Sequence, residues 1–328
     1  MDLIDELLIG EAPALRRVKE MIRLIAPTDV PVMIEGESGT GKELVALALH
    51  HGSGREGPFV PVNVCAIADS MFEDTFFGHG KWAFTGAQAT ARGYLAEADR
   101  GTLFLDELAG LAGKHQMKLL RAVETRQFRA LGAAADARSD FRLVSASNES
   151  VTRLVQQNVL RLDLAHRLNG VLLQLPPLRA RKSDVRMLAE CFLVSVQRAD
   201  GRRPTLAASA LAALKTHAWP GNVRELRQIV ESAAIISHDG LIDGGLVTEL
   251  LGSNGTRGTR ACSDGAFEHA RETLVAALAA AGGNAEHAAR LIGASRATVY
   301  RLARSHGVAI GDFRTRLVSD AARSIPVR

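Results

Sequence analysis

Cysteine, aromatic residues and long apolar runs are all scarce in this sequence. Only 3 of the 328 residues are cysteine and 5% are aromatic. Cys65, Cys191 and Cys262 lie far apart, with no C-x-x-C pair and no histidine at ligand spacing, so they support neither a disulfide framework nor a zinc site. No apolar run reaches the ~18 residues of a membrane span, and the first residues are acidic where a signal peptide would be basic. We therefore expect a cytoplasmic protein that does not contact membranes.

The sequence also lacks a large excess of either charge sign. Its formal net charge is +4. Residues 285–328 hold 8 arginines and 3 acidic residues, so this end carries +5 and the rest of the chain carries −1. A nearly neutral body with a small basic module at one end indicates an anionic partner, and nucleic acid is the leading candidate.

Short apolar runs alternate with segments of helical period, which is typical of a parallel α/β sheet. With 47% hydrophobic residues, the chain can form about two domains of ordinary size. The predicted strands are Val30–Glu35, Phe59–Val64, Thr102–Leu105, Phe141–Ala146 and Gly170–Leu175. After Pro176 the pattern is helical and contains no strand candidate, which predicts a small all-helical lid.

A glycine-rich motif lies between the first predicted strand and a helical run. It reads Gly36-Glu37-Ser38-Gly39-Thr40-Gly41-Lys42. Glycines in this context let backbone N–H groups surround a phosphate, and Lys42 neutralises its charge, so the motif predicts a phosphate-binding loop, or P-loop. The usual Ser or Thr after the lysine is Glu43 here, so the hydroxyl contact to Mg²⁺ falls to Thr40 or to water.

Two adjacent carboxylates end the buried strand that begins at Thr102. Such a strand delivers Asp106 and Glu107 to the edge of the sheet where a nucleotide binds. We expect Asp106 to hold Mg²⁺ through water and Glu107 to polarise the attacking water, because phosphoryl transfer depends on positioning and electrostatics. Adjacent acids at a strand end are weak evidence alone and strong evidence beside a P-loop.

With these motifs, residues 8–237 resemble the AAA+ ATPase domain of bacterial sigma-54-dependent transcription activators. The most specific string is Ala83-Phe84-Thr85-Gly86-Ala87, which is similar to the end of a family loop that contacts the sigma factor. The resemblance assigns that contact to Phe84, Thr85 and Gly86. Trp82 stands where the family has glycine, and tryptophan does not readily adopt positive φ, so the hinge of this loop is in question.

The same resemblance assigns further roles around the nucleotide. Asn63 would switch the position of Glu107, and Asn148, after Ser147, would be the first sensor of the nucleotide. Arg161 and Arg167 would be arginine fingers inserted into a neighbouring subunit's site, although a structural role for one of them stays open. In the string Trp219-Pro220-Gly221-Asn222-Val223-Arg224, Asn222 would cap a helix and Arg224 would point to the γ-phosphate. Fingers acting between subunits imply a ring, a hexamer by analogy.

The C-terminal end is similar to a Fis-type helix-turn-helix domain. Helical segments from Ala285 and from Arg296 flank the short turn Gly293-Ala294-Ser295. The residues available to DNA are Arg296, Thr298, Tyr300, Arg301 and Arg304. The alternative for this segment is a helical hairpin with a solvated basic face.

These observations predict an α/β AAA+ P-loop ATPase fold with a helical lid and a C-terminal all-α helix-turn-helix domain. The expected parts are an α/β subdomain over 1–175, the lid over 176–240, a flexible linker over 241–265, the helix-turn-helix domain over 266–308 and a basic tail over 309–328. The predicted function is ATP-driven remodelling of the sigma-54 RNA polymerase closed complex from an upstream DNA site. Control would come from a separate regulatory protein or from abundance. Two alternatives stay open: a DNA-binding repressor or mixed-ring subunit whose Trp82-altered loop does not engage sigma-54, and an ATP-driven remodeller of unrelated DNA complexes.

Overall fold

A computed structural model describes residues 3–83, 87, 89–196, 203–237 and 239–258, together with residues 278, 281, 284, 287 and 288. The chain separates into two compact units, Met1–Thr248 and Glu249–Arg328. The helix-turn-helix residues Arg296, Thr298, Tyr300, Arg301 and Arg304 and the loop residues Phe84, Thr85 and Gly86 lie outside the described residues.

Helices and strands alternate through the first part of the chain and give way to helices after the last long strand. The helices are α1 Leu3–Leu7, α2 Pro13–Ile25, α3 Lys42–His51, α4 Phe72–Phe77, α5 Tyr94–Glu97, α6 Gly113–Thr125, α7 Val151–Gln156, α8 Leu162–Leu168, α9 Val185–Ser195, α10 Ala208–Thr216, α11 Asn222–Ile236 and α12 Gly244–Gly258. The strands are β1 Val32–Glu35, β2 Phe59–Asn63, β3 Gly78–His79, β4 Ala91–Arg92, β5 Thr102–Asp106, β6 Gln127–Phe128, β7 Ala137–Arg138, β8 Arg142–Ser147, β9 Val171–Gln174, β10 Thr205–Leu206 and β11 Leu241–Ile242.

The five longest strands form one parallel sheet in the order β2-β5-β8-β1-β9. Each of them overlaps a strand predicted from the sequence, so the α/β prediction is confirmed. Parallel pairing brings all five carboxyl ends to one edge, where Asn63 lies opposite Asp106 and Glu35 lies opposite Ser147. This edge is where a parallel sheet binds ligands.

The strands are apolar at successive positions, and their side chains point alternately to the two faces of the sheet, so helices cover both faces. Val32 and Ile34 pack in one cluster with residues of α2 and α3, whereas Met33 packs in another cluster with residues of α4, α6 and α8. Similarly, Leu103 and Leu105 belong to the second cluster and Phe104 to the first. Successive side chains of a strand point to opposite faces, so a continuous apolar run is buried on both.

The lid consists of α9, α10 and α11, with one short parallel strand pair, β10 with β11, that the sequence did not predict. The prediction of a flexible linker over 241–265 is wrong for residues 241–258, which form β11 and α12. Asp243 Oδ1 accepts a hydrogen bond from Leu246 N–H (2.8 Å), and Val247 is buried. The N-terminus of α12 is thus stabilised by a capping hydrogen bond, which the glycine-rich sequence of this segment did not indicate.

Beyond α12 the structure describes five residues, including Asn284. Asn284 accepts a hydrogen bond through Oδ1 from His287 N–H (3.4 Å) and through its carbonyl oxygen from Ala288 N–H (2.9 Å), as a residue that caps a helix N-terminus does. Within the described residues, none of the helices is both long and apolar enough to span a membrane.

Candidate nucleotide site

The glycine-rich motif forms the turn between β1 and α3. Gly39 and Gly41 have φ of 77° and 103°, and a Cβ at Gly39 would overlap the carbonyl oxygen of Gly221. Glycine is therefore required at position 39 both by the backbone angle and by the close approach of the lid. The N-terminus of α3 follows directly, as an anion-binding turn requires.

Lys42 is buried at the centre of this turn. Its ammonium group donates hydrogen bonds to the carbonyl oxygens of Gly36 (2.8 Å) and Glu37 (3.3 Å). Burial lowers the pKa of Lys42, while the nearby carboxylates of Asp106 and Glu107 act in the opposite direction. A phosphate placed here would supply the anionic partner for this buried cation.

Asp106 is the last residue of β5, the strand between β2 and β8, and Glu107 follows it; both are half-buried. Asp106 Oδ1 accepts a hydrogen bond from Glu107 N–H (2.9 Å), and burial raises the Asp106 pKa, opposed by this bond and by Lys42. Glu107 has φ 58° and ψ 49°, a left-handed conformation that costs ~1–2 kcal/mol for a residue with a Cβ. Strained backbone of this kind is concentrated at functional sites.

The two predicted asparagines lie at neighbouring strand ends of the same edge. Asn63 is beside Asp106 in register, and its amide oxygen accepts a hydrogen bond from Cys65 N–H (3.0 Å). Asn148 is exposed directly after Ser147, whose carbonyl oxygen accepts a hydrogen bond from Gly36 N–H (3.1 Å). The edge thus brings both asparagines, the P-loop and the two carboxylates into one region.

The lid contacts the P-loop through side chains of α11. Asn222 Nδ2 donates to Glu37 Oε2 (3.2 Å) and to Ser38 O (3.0 Å), and its Oδ1 accepts from Leu178 N–H (2.8 Å). Arg224 Nη1 donates to Ser38 Oγ (3.1 Å). The prediction that Asn222 caps its helix is wrong, because its side chain bridges the lid and the P-loop instead.

Two arginines that the sequence analysis did not identify also hold the P-loop. Arg179 binds the Glu37 carboxylate with both terminal nitrogens, the Nη1–Oε2 distance being 2.7 Å. Arg179 and Asn222 lower the pKa of Glu37 to about 2. Buried Arg181 donates to Thr40 O (3.0 Å). The sequence offered one indication of this role: both arginines follow the last predicted strand by a few residues, and the carboxyl ends of the strands form the site.

Arg161 and Arg167 are both exposed. Arg161 immediately precedes α8 and forms two hydrogen bonds with Asp163 (3.1 and 2.7 Å), whereas Arg167 lies within α8. Both guanidinium groups are therefore presented to the outside of the chain, the placement that a residue acting on a neighbouring molecule requires.

The stem of the predicted sigma-factor loop is described up to Ala83 and again at Ala87. Trp82 has φ 68° and is 71% exposed, and its N–H donates to Ala87 O (2.8 Å). Trp82 thus adopts a positive φ, although tryptophan does so less readily than glycine. Gly80 N–H donates to Leu131 O (2.8 Å), which joins the stem to the β6–β7 hairpin.

The residues present fit a nucleotide with Mg²⁺. Thr40 Oγ1 donates to Glu37 O (2.7 Å), and Glu43 is exposed, so Asp106 is the best placed ligand for the ion. Among the described residues, no group of three or more His, Cys, Asp and Glu side chains could hold a metal ion. Mg²⁺ characteristically binds one or two carboxylates together with phosphate oxygens and water, so a smaller donor set is sufficient.

Two family models match this chain. The model described as the sigma-54 interaction domain matches residues 8–174, and the one described as the AAA+ ATPase lid domain matches residues 179–261. The chain belongs to the sigma-54 interaction domain family. The resemblance inferred from the motifs is confirmed, and the family's lid extends through α12, past the boundary at 240 that the sequence predicted.

Relatives in this family include named bacterial regulators. The chain is 40% identical over 306 residues to a Nif-specific regulatory protein of Azotobacter vinelandii, covering 91% of this chain and 58% of that protein. It is 43% identical over 256 residues to the DNA-binding transcriptional regulator NtrC of Bradyrhizobium sp. (strain RP501 Parasponia), covering 76% of this chain and 53% of the relative. The chain thus spans little more than half the length of these relatives.

Solved structures of a related family member support the same fold and ligand class. NtrX from Brucella abortus in complex with ADP matches with a TM-score of 0.68 and 32% identity, covering 92% of this chain and 69% of that one. The NtrX complex with ATP matches with a TM-score of 0.66 and 33% identity, with the same coverage. The AAA+ fold class is confirmed, and nucleotide binding by this chain is supported.

Proposed function

We propose that this chain is an ATP-hydrolysing activator of sigma-54-dependent transcription. One observation carries the proposal: the P-loop lysine, the Asp106-Glu107 pair and the lid residue Arg224 converge at one sheet edge in a chain that belongs to the sigma-54 interaction domain family. Such a regulator acts in the cytoplasm, where the promoter DNA is.

The residues at this edge of the sheet have different roles in hydrolysis. Lys42 and the backbone of the glycine-rich turn bind the phosphates, and Arg224 senses them from the lid. Asp106 would hold Mg²⁺ through water, and the bound ion would neutralise charge on the phosphate oxygens. Glu107 orients the attacking water, and the amide of Asn63 holds Glu107 away from it until nucleotide binds. Asn148 contacts the γ-phosphate region from the next strand.

Arg161 and Arg167 act on the site of the neighbouring subunit. Their exposure supports this role, because an arginine finger must reach another molecule. Hydrolysis then requires assembly into a ring, which we take to be a hexamer by analogy with the family. Mixing experiments test whether the ring contains this chain alone or a second kind of chain as well.

The predicted contacts with sigma-54 and DNA complete the proposal. Phe84, Thr85 and Gly86 would form the loop tip that presses on sigma-54, driven by hydrolysis. The residues that would bind an upstream DNA site are Arg296, Thr298, Tyr300, Arg301 and Arg304. Sequence motifs support both sets, as do the transcriptional regulators among the relatives.

Arg161→Ala is the most informative change for testing the arginine finger that would act on the neighbouring subunit's nucleotide site. We expect ATP turnover to fall by ~10³-fold or more, the scale of an arginine finger, while nucleotide binding is retained. Steady-state hydrolysis and binding of ADP to the same preparation measure the two effects. The matched control is Arg153→Ala, an exposed arginine on α7 outside the proposed site. Near-normal turnover by Arg161→Ala would contradict the finger assignment.

Open-complex formation on a premelted promoter separates the proposed activator from its alternatives. Purified protein, ATP and sigma-54 RNA polymerase should yield open complexes, and Glu107→Gln, which retains the P-loop but lacks the water-orienting carboxylate, should not. Hydrolysis without open complexes would favour the Trp82-disabled repressor or a mixed-ring subunit. Remodelling of DNA complexes that lack sigma-54 would favour the remaining alternative.

A further inference from the structure

Gln116 is a buried polar residue that none of the proposed roles uses. It lies on α6 and is 1% exposed. Its Nε2 donates hydrogen bonds to the carbonyl oxygens of Leu111 (2.8 Å) and Val159 (2.7 Å), and its Oε1 accepts from Arg161 N–H (2.8 Å). Both amide hydrogens are therefore used, and the amide orientation is fixed by its three backbone partners.

One of these partners belongs to the turn that carries Glu107. A single turn of 3-10 helix, Leu108–Gly110, follows this residue, and Leu111 ends it. The turn is closed by bonds from Gly110 N–H to Glu107 O (2.9 Å) and from Leu111 N–H to Leu108 O (3.0 Å). A change in the left-handed backbone at Glu107 would therefore move the carbonyl of Leu111 that Gln116 binds.

The other two partners lie on either side of Leu160, in the segment that ends at the proposed arginine finger. Leu160 is buried, and Val159 and Leu160 each donate a backbone hydrogen bond to Leu154 O (2.9 and 3.1 Å). Gln116 thus fixes the backbone of this segment at Val159 and at Arg161. The side chain of Arg161 begins at that fixed point, is exposed and binds the Asp163 carboxylate.

We propose that Gln116 is a positioning residue that couples the Glu107 turn of a subunit's own nucleotide site to the Arg161 finger that it inserts into its neighbour's site. This inference rests on the proposed role of Arg161. A buried amide that binds the backbone of both elements transmits a displacement of one to the other, because a buried polar group left without its partner costs ~1–3 kcal/mol. Successive sites around the ring would then be linked through Gln116.

The test uses Gln116→Met, which has similar volume and removes all three hydrogen bonds. We expect turnover to fall by ~10²-fold, since a misplacement of ~1 Å can have that effect, while nucleotide affinity stays close to the wild-type value. Gln156→Met, on the exposed side of α7, is the matched control and should retain wild-type turnover. If Gln116→Met does not fold, Gln116→Glu retains the acceptor for Arg161 N–H without either donation, and wild-type turnover in it overturns the proposal.

A double variant separates positioning from a general structural defect. If Gln116 acts through Arg161, adding Gln116→Met to Arg161→Ala should lower turnover no further, because residues that act as a unit are not additive. A further ~10²-fold loss in the double variant would overturn the proposal while leaving the finger assignment intact. Normal turnover in Arg161→Ala alone would instead overturn the finger assignment, and the coupling with it.

Discussion

The two tryptophans of the chain share a backbone conformation but lie in opposite surroundings. Trp219 and Trp82 have φ of 55° and 68°. Trp219 is 0% exposed, and its indole N–H donates to Leu214 O (2.9 Å), whereas Trp82 is 71% exposed and its backbone N–H donates to Ala87 O (2.8 Å). The unfavourable positive φ is offset by burial of the Trp219 side chain in the lid, and by the hydrogen bond from Trp82 N–H to Ala87 O in the stem.

Trp219 lies in a packed part of the molecule and Trp82 in an exposed part. Around Trp219, the lid residues Asn222 and Arg224 hold the P-loop through side-chain hydrogen bonds. In the stem, Trp82 has the Lys81 ammonium 5.3 Å from its ring and otherwise presents most of its surface to solvent. A substitution should therefore lower the free energy of unfolding more at Trp219 than at Trp82.

Trp219→Ala should produce the largest effect on stability. We expect a loss of about 3–5 kcal/mol in the free energy of unfolding, because the change removes a fully buried aromatic side chain and leaves a cavity. Trp82→Ala is the matched variant and should cost less than about 1 kcal/mol. Urea unfolding of both proteins measures the difference, and equal losses would contradict this expectation.

Glu37→Gln tests the link between the lid and the P-loop and should have a smaller effect. We expect a loss of about 1 kcal/mol or less at neutral pH, because the carboxylate is partly exposed. The Glu37 pKa falls from 4.5 in the unfolded chain to about 2 in the folded protein, so its contribution is present above pH 4.5 and is lost as the pH falls toward about 2. Unfolding of wild type and variant across this window measures it.

The control for that series is Glu124→Gln, an exposed change on α6. Its difference from wild type should not follow the same window. A Glu37→Gln difference that persists unchanged to pH 2 would show that the Arg179 and Asn222 contacts do not stabilise the ionised carboxylate.

Trp82→Gly should have the smallest effect. Glycine removes the strain of positive φ but increases the entropy of the unfolded chain, so stability should stay within about 1 kcal/mol of wild type. ATP turnover should be unchanged, because the contacts of Trp82 in the described part of the chain are with Ala87 and Lys81 and not with the P-loop. Open-complex formation should also be retained, since Trp82 already adopts the glycine-like angle. Activity that appears only in Trp82→Gly would favour the disabled-loop alternative.

The sequence predicted the fold and the central site because their signals are local. Five apolar runs formed the sheet, and the glycine-rich turn and the Asp106-Glu107 pair lie at its carboxyl edge as expected. The contacts of Arg179 and Asn222 with Glu37 could not be predicted, because they join positions 142 and 185 residues apart. Gln116 carried no motif signal, and its role depends on how α6 packs. Helix α12 was missed because a capping contact outweighed glycine-rich composition.

The mechanism depends most directly on the claim that one chain's nucleotide site is completed by Arg161 of the next chain. Lys42→Ala lacks the phosphate-binding lysine but retains its finger, and Arg161→Ala lacks the finger but retains its own P-loop. Each variant alone should hydrolyse ATP at ~10⁻³ of the wild-type rate or less. A mixture that assembles together should regain hydrolysis, because some interfaces then combine an intact P-loop with an intact finger. A co-assembled mixture that stays as inactive as its components would contradict the account.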